Sequence, residues 1–193
     1  MSEDRRSERQ EVASAALELL KLGLISGTSG NVSIRLSDNH SALMAITPSS
    51  TPYQQMRAND VVVVDMALDT IVGDLTPSTE SLLHAGIYAR RPDVRAVVHT
   101  HSIFGSVMAV CGLDIPPIID EMVVHVGGTI RVSEYAFPGT QDLADRVCTA
   151  LEDRNAALIR SHGTIAVGRD LDEAVHIATL TERVAQIYYY ASI

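Results

Sequence analysis

Three histidines and one glutamate are the residues here whose types and spacing could do chemistry. In Val97-Val98-His99-Thr100-His101 two histidines stand two positions apart. Residues so spaced on a strand point to the same side, so both imidazoles meet where an apolar strand ends. Neutral imidazole is a good zinc ligand, although a pair of solvated surface histidines would show the same spacing. A third histidine stands in Leu158-Ile159-Arg160-Ser161-His162-Gly163-Thr164, after another apolar stretch and before a glycine. Glycine there lets the backbone turn tightly beside a site. Three histidines with an open fourth position describe a catalytic zinc rather than a structural one. His40, His125 and His176 lack such settings and read as solvated or core residues.

Glu80 is the expected fourth partner, as metal ligand and acid/base. It lies in Pro77-Ser78-Thr79-Glu80, where a helix is expected to start. A glutamate in a first turn ordinarily just complements the helix dipole. Here two hydroxyls and free helix amides beside the carboxylate make an anion site next to a base. His84, one turn on and on the same helix face, reads as a supporting or packing residue. Thr28-Ser29-Gly30-Asn31 and Thr47-Pro48-Ser49-Ser50 are two further hydroxyl-rich turns. Either alone would be an ordinary turn. With Ser78 and Thr79 they predict a phosphate pocket of three segments, because backbone amides and hydroxyls together cradle anions.

The elements that must position these groups alternate along the chain. An amphipathic helix is expected over 7–22, with Val12, Ala15, Ala16, Leu19 and Leu20 on one face and Gly23 closing it. Strands are expected at 32–36, 43–47, 61–65, 69–72, 94–99, 129–132, 156–159 and 164–167. Helices are expected from Ser78 to Pro92 and at 103–110, 141–152 and 170–190, the last opened by a capping-box-like Asp170-Leu171-Asp172-Glu173. Apolar strands mixed with helices predict a single α/β layered domain spanning 1–193.

Composition narrows the function classes. Fifteen basic against twenty-four acidic residues leave a net charge of −9, which disfavours nucleic acid and anionic lipid as partners. No apolar run approaches the ~20 residues that span a bilayer. The charged N-terminal stretch does not read as a signal peptide. Cys111 and Cys148 follow no metal or redox spacing and read as two half-buried reduced thiols, so the expected location is the cytoplasm.

Five blocks together resemble the class II aldolase/adducin head family, which includes fuculose-phosphate aldolases and ribulose-phosphate 4-epimerases. They are SGTSGNVS, ITPSS, PSTESLLHAGIY, AVVHTHS and ALIRSHGTIAVG, in that order and spread over nearly the whole chain. The resemblance implies a central, mostly antiparallel sheet flanked by helices, and a homotetramer with active sites between subunits. By position, His99, His101 and His162 match the family's zinc ligands and Glu80 its catalytic acid/base. Asn31, Ser49, Ser50, Ser78 and Thr79 fall where substrate phosphate is held, with Thr28 and Gly30 shaping that loop. The implied reaction is reversible cleavage of a ketose 1-phosphate to dihydroxyacetone phosphate and an aldehyde, through a metal-stabilised enediolate.

Three departures bear on the substrate. Ser50 stands where the fuculose enzymes have glycine, and the chain ends at Ile193 without their C-terminal tail. The segment Ile118-Ile119-Asp120-Glu121-Met122 falls where they present a tyrosine to a neighbouring subunit. Asp120 and Glu121 are therefore candidate acids for the aldehyde half, or else a solvated acidic corner. Other readings are a sugar-acid phosphate decarboxylase, a 4-epimerase, or a non-catalytic adducin-like interaction domain. The last would not need three histidines and Glu80. Histidine sites also admit cobalt, nickel or manganese.

Overall fold

The computed structural model describes residues 5–36 and 42–192, so His40 lies outside the described residues. Eight strands form one sheet: β1 (Asn31–Leu36), β2 (Leu43–Ile46), β3 (Val62–Asp65), β4 (Thr70–Val72), β5 (Ala96–Thr100), β6 (Arg131–Val132), β7 (Ala156–Ile159) and β8 (Gly163–Gly168). Their spatial order is β4-β3-β2-β1-β5-β8-β7-β6. Every neighbouring pair is antiparallel except β6 with β7. Six α-helices cover the sheet: α1 (Arg6–Lys21), α2 (Ser81–Arg90), α3 (Ile103–Cys111), α4 (Asp120–Val126), α5 (Gln141–Leu151) and α6 (Leu171–Ala191).

The inner strands are apolar on both sides because both faces are covered. Alternate residues serve opposite cores. Val32, Ile34, Ala96, Val98, Leu158 and Ala166 pack with α1, α3, α4 and α6. Val62, Val64, Val97, Ile159 and Ile165 pack on the other face with α2 and α5. The result is the expected α/β domain with a mostly antiparallel sheet between helical layers. Its central strands β1, β5 and β8 lie side by side, with His99 opposite Asn31 on one flank and Ile165 on the other.

The structure departs from the sequence reading in four local features. The helix expected from Ser78 begins at Ser81, with Glu80 at its N-cap. The Ser49 N–H donates to the Thr76 carbonyl and the Ser78 N–H to the Thr47 carbonyl, so residues 76–79 are tied to the neighbouring loop instead of winding. The acidic segment after Ile119 is a seven-residue helix, α4, too short to show a clear period in sequence. The strand expected at 129–132 shrinks to the two residues of β6. The last helix starts where its cap predicts: the Asp170 side chain accepts the Glu173 N–H at 2.8 Å, while the Glu173 carboxylate reaches back one residue further, to the Arg169 N–H at 2.7 Å. Of the two thiols, both free, Cys148 is buried and Cys111 is exposed rather than half-buried.

Candidate metal centre

His99 is the penultimate residue of the fully buried strand β5, and His101 follows one residue past its end. The tight β7–β8 hairpin delivers His162 to the same place. Its turn residue Ser161 is left-handed (φ 56°), and the Ser161 N–H is held by the Ala109 carbonyl. The three rings form a nearly symmetric cluster, with centroids 4.7–4.9 Å apart and planes inclined by 70–73°. One nitrogen from each lies within 4.8 Å of the other two. Two glycines make the approach possible. A Cβ on Gly163 would sit 2.3 Å from the Thr100 carbonyl oxygen, and one on Gly30 would sit 2.6 Å from that of His99.

Glu80 closes the cluster from the N-cap of α2. Its Oε2 lies 3.1 Å from His99 Nε2, and its Oε1 lies 3.5 Å from His162 Nε2. Oε1 is buried and accepts no hydrogen bond. His99 Nδ1 is 2.8 Å from the Thr164 carbonyl oxygen. A carbonyl only accepts, so Nδ1 carries a proton, and in the neutral ring Nε2 presents its lone pair. That lone pair faces His101 Nε2 at 2.9 Å and the Glu80 carboxylate at 3.1 Å. A divalent cation among these atoms would take the imidazole lone pairs and the carboxylate together. The donor set, three imidazoles and a carboxylate, fits a divalent metal of the zinc type.

Three of the four titration directions, those of His101, His162 and Glu80, favour a metal; His99 is drawn toward its protonated form by Glu80 instead. Burial lowers the pKa of His101 to about 4, helped by the charges of His99 and His162. Burial likewise lowers His162, with His99 adding to it and Glu80 opposing. Burial would also lower His99, but the adjacent Glu80 charge outweighs it and raises that ring. Burial would raise Glu80; the charge and hydrogen bond of His99, then His162 and Asn31, override it and hold the carboxyl well below its usual range. Neutral His101 and His162 beside an ionised carboxylate are the protonation states that metal binding needs.

Asn31, expected to hold phosphate, turns its side chain inward. Its Nδ2 donates to Glu80 Oε2 at 2.8 Å, and its Oδ1 lies 2.5 Å from His84 Nε2. His84 is fully buried and touches Asn31 and Ser33, so it supports the centre from behind. The hydroxyl-rich loops adjoin one another: an isolated bridge joins Pro48 to Pro77, and the Val32 N–H donates to Thr47 Oγ1 at 3.1 Å. The Tyr53 hydroxyl donates to the Gly30 carbonyl and pins the first loop to this group. Ser78 is buried with its Oγ on the Glu80 N–H, whereas Thr28, Ser50 and Thr79 are exposed and Ser49 is half-buried. Asp120 and Glu121 lie apart from this group. They open α4, which packs on the face opposite α2; Asp120 is exposed and Glu121 pairs with Arg183 at 2.9 Å. His125 and His176 are exposed and stack edge-on at 4.9 Å, as solvated residues. Sequence reasoning missed Ser33 and Tyr88 behind His84, since nothing in their spacing points to a site.

Comparison with known proteins places this geometry. Residues 10–189 match the family model for the Class II Aldolase and Adducin N-terminal domain. The chain is 38% identical to the 5-methylthioribulose-1-phosphate/5-deoxyribulose-1-phosphate aldolase of Rhodospirillum rubrum, over 98% of this chain and 83% of that protein. It is 35% identical to the L-fuculose phosphate aldolase of Escherichia coli K12, over 96% of this chain and 84% of the other. A solved structure of L-fuculose 1-phosphate aldolase superposes with a TM-score of 0.90 at 33% identity, over 96% of this chain and 86% of that one. The chain belongs to the class II aldolase and adducin N-terminal domain family. It is an enzyme of the aldehyde-lyase class, a class II aldolase.

Proposed function

We propose that this enzyme is a zinc-dependent aldolase that cleaves a ketose 1-phosphate to dihydroxyacetone phosphate and an aldehyde. The observation that carries the reading is the Glu80 carboxylate, with one buried oxygen that accepts no hydrogen bond, beside three converging imidazoles. A non-catalytic interaction domain has no use for that arrangement. His99, His101 and His162 would hold the metal, with Glu80 at its fourth side. When bound, such a metal supplies Lewis-acid stabilisation of the negative charge that develops on substrate oxygens. Glu80 delivers a proton to the carbon left electron-rich by cleavage and removes the same proton in the condensation direction. Its Oε1 is the atom for that transfer, since Oε2 is held by Asn31.

The phosphate belongs against the loops of Thr28, Gly30, Ser49, Ser50, Ser78 and Thr79, while Asn31, expected there from the sequence, commits its side chain to Glu80 and His84. Mutual adjacency of the three loops supports this, and neutral donors suit a dianion next to a metal in a chain of net charge −9. The names of the relatives support the substrate class: each acts on a ketose phosphorylated at carbon 1 or on a fuculose phosphate. The active unit we propose is a homotetramer with sites between subunits. In it Asp120 and Glu121 reach a neighbour's site and serve the aldehyde half. The large apolar side chains Ile103, Val110, Val124 and Phe137 support association, because each is more than half exposed in the single chain. No helix among the described residues is long and apolar enough to cross a membrane. Free thiols at Cys111 and Cys148 suit a reducing cytoplasm.

The test is to incubate the zinc-loaded enzyme with L-fuculose 1-phosphate, 5-deoxyribulose 1-phosphate, L-ribulose 5-phosphate and phosphorylated sugar acids. Release of dihydroxyacetone phosphate from a ketose 1-phosphate supports the reading. An epimer or carbon dioxide as the product, with no dihydroxyacetone phosphate, refutes it.

A further inference from the structure

Behind Glu80 a file of four buried side chains runs between β1 and α2. Asn31 Nδ2 meets Glu80 Oε2 at 2.8 Å, and Asn31 Oδ1 meets His84 Nε2 at 2.5 Å. His84 Nδ1 lies 2.6 Å from Ser33 Oγ, which lies 2.7 Å from the Tyr88 hydroxyl. All four residues are buried, so their polar atoms must satisfy one another.

With the buried His84 ring neutral, valence fixes the protons along the file. A carboxylate only accepts, so Asn31 turns its NH2 to Glu80 and its carbonyl to His84. That carbonyl also only accepts, so the His84 proton sits on Nε2 and Nδ1 is the acceptor. Ser33 donates its single proton to Nδ1, and its oxygen accepts from Tyr88. The Tyr88 hydroxyl also lies 3.4 Å from the Arg95 carbonyl, but its contact with Ser33 at 2.7 Å is the shorter and stronger one.

We propose that Tyr88, Ser33 and His84 are positioning residues: a one-way file of donors that locks the Asn31 amide onto Glu80 Oε2. The lock orients the carboxylate so that Oε2 lies beside His99 and Oε1, free of hydrogen bonds, beside His162. The kinetic consequence rests on the reading of Glu80 as proton carrier; the proton placement does not.

Two measurements on the full chain test this. Nitrogen NMR should find His84 neutral at pH 7 with its proton on Nε2, with or without zinc. In the second, His84→Gln keeps an N–H near the position of Nε2, whereas His84→Leu keeps only bulk. His84→Leu should slow deuterium exchange into dihydroxyacetone phosphate by about 10- to 100-fold with KM little changed. His84→Gln should recover most of that loss, and Tyr88→Phe, the most distant link, should lose least. A proton on Nδ1, a charged ring, or His84→Gln as slow as His84→Leu overturns the proposal. Should His84→Leu not fold, the NMR measurement and Tyr88→Phe decide: exchange in Tyr88→Phe slowed as much as in Glu80→Gln overturns it. If the wild type catalyses no exchange while His84 carries its proton on Nε2, the proposed function fails and the donor file stands.

Discussion

At the scale of single residues the centre depends on absent atoms as much as on ligands. Gly163 lies under both His99 and His101: a Cβ there would come within 3.2 Å of the His99 ring and 3.1 Å of the His101 ring, besides its clash with the Thr100 carbonyl. Overpacking a filled site costs about 1–3 kcal/mol. Gly163→Ala should therefore weaken zinc binding by about 5- to 150-fold, read by competition with a chromogenic chelator. Zinc affinity equal to wild type would show that the rings do not need their present spacing. His101→Ala would remove one of the three proposed ligands, and elemental analysis should find metal occupancy dropping sharply. Full occupancy in that variant would remove His101 from the metal site.

Among the elements, α3 is the one that steadies the His101 arm. It begins two residues after His101, and its first turn is capped from a distance by Glu182 of α6. The carboxylate accepts the Phe104 N–H at 2.9 Å and the Gly105 N–H at 2.8 Å. Hydrogen bonds to a charged group are worth about 1.5–3 kcal/mol. Glu182→Ala should lower unfolding stability by roughly that amount in urea, and should weaken zinc binding while Glu80 and its partners stay in place. Unchanged stability and zinc affinity would make Glu182 a surface residue. This contact also shows what the sequence could and could not reveal. The histidine pair was legible because strand parity alone puts His99 and His101 on one side, and His162 because glycine follows it. Glu80 was legible as a partner but not as an N-cap, since the loop-to-loop hydrogen bonds that delay the helix join segments some thirty residues apart. The Glu182 cap and the Ser33–His84–Tyr88 file span 77 and up to 55 positions, beyond any local pattern. The α4 helix escaped because seven residues carry too little periodicity.

For the whole molecule, the layered sheet puts Glu80, the three histidines and the hydroxyl-rich loops at one end of the central strands. Large apolar side chains remain uncovered elsewhere: Val124 is 75% exposed and Phe137 71%. The tetramer we propose predicts a mass in light scattering four times that of the 20.8-kDa chain. A stable monomer with full activity would contradict shared sites and leave Asp120 and Glu121 without a role in them. In the proposed reaction Glu80 moves a proton to and from a carbon acid held at the three-histidine centre. Deuterium exchange into the hydroxymethyl carbon of dihydroxyacetone phosphate, followed in heavy water without any aldehyde, measures that step alone. The zinc-loaded wild type should exchange one hydrogen, and Glu80→Gln, with equal zinc content, should be slower by about 10²–10⁴-fold. Exchange at the wild-type rate in Glu80→Gln, or none in the wild type, would contradict it.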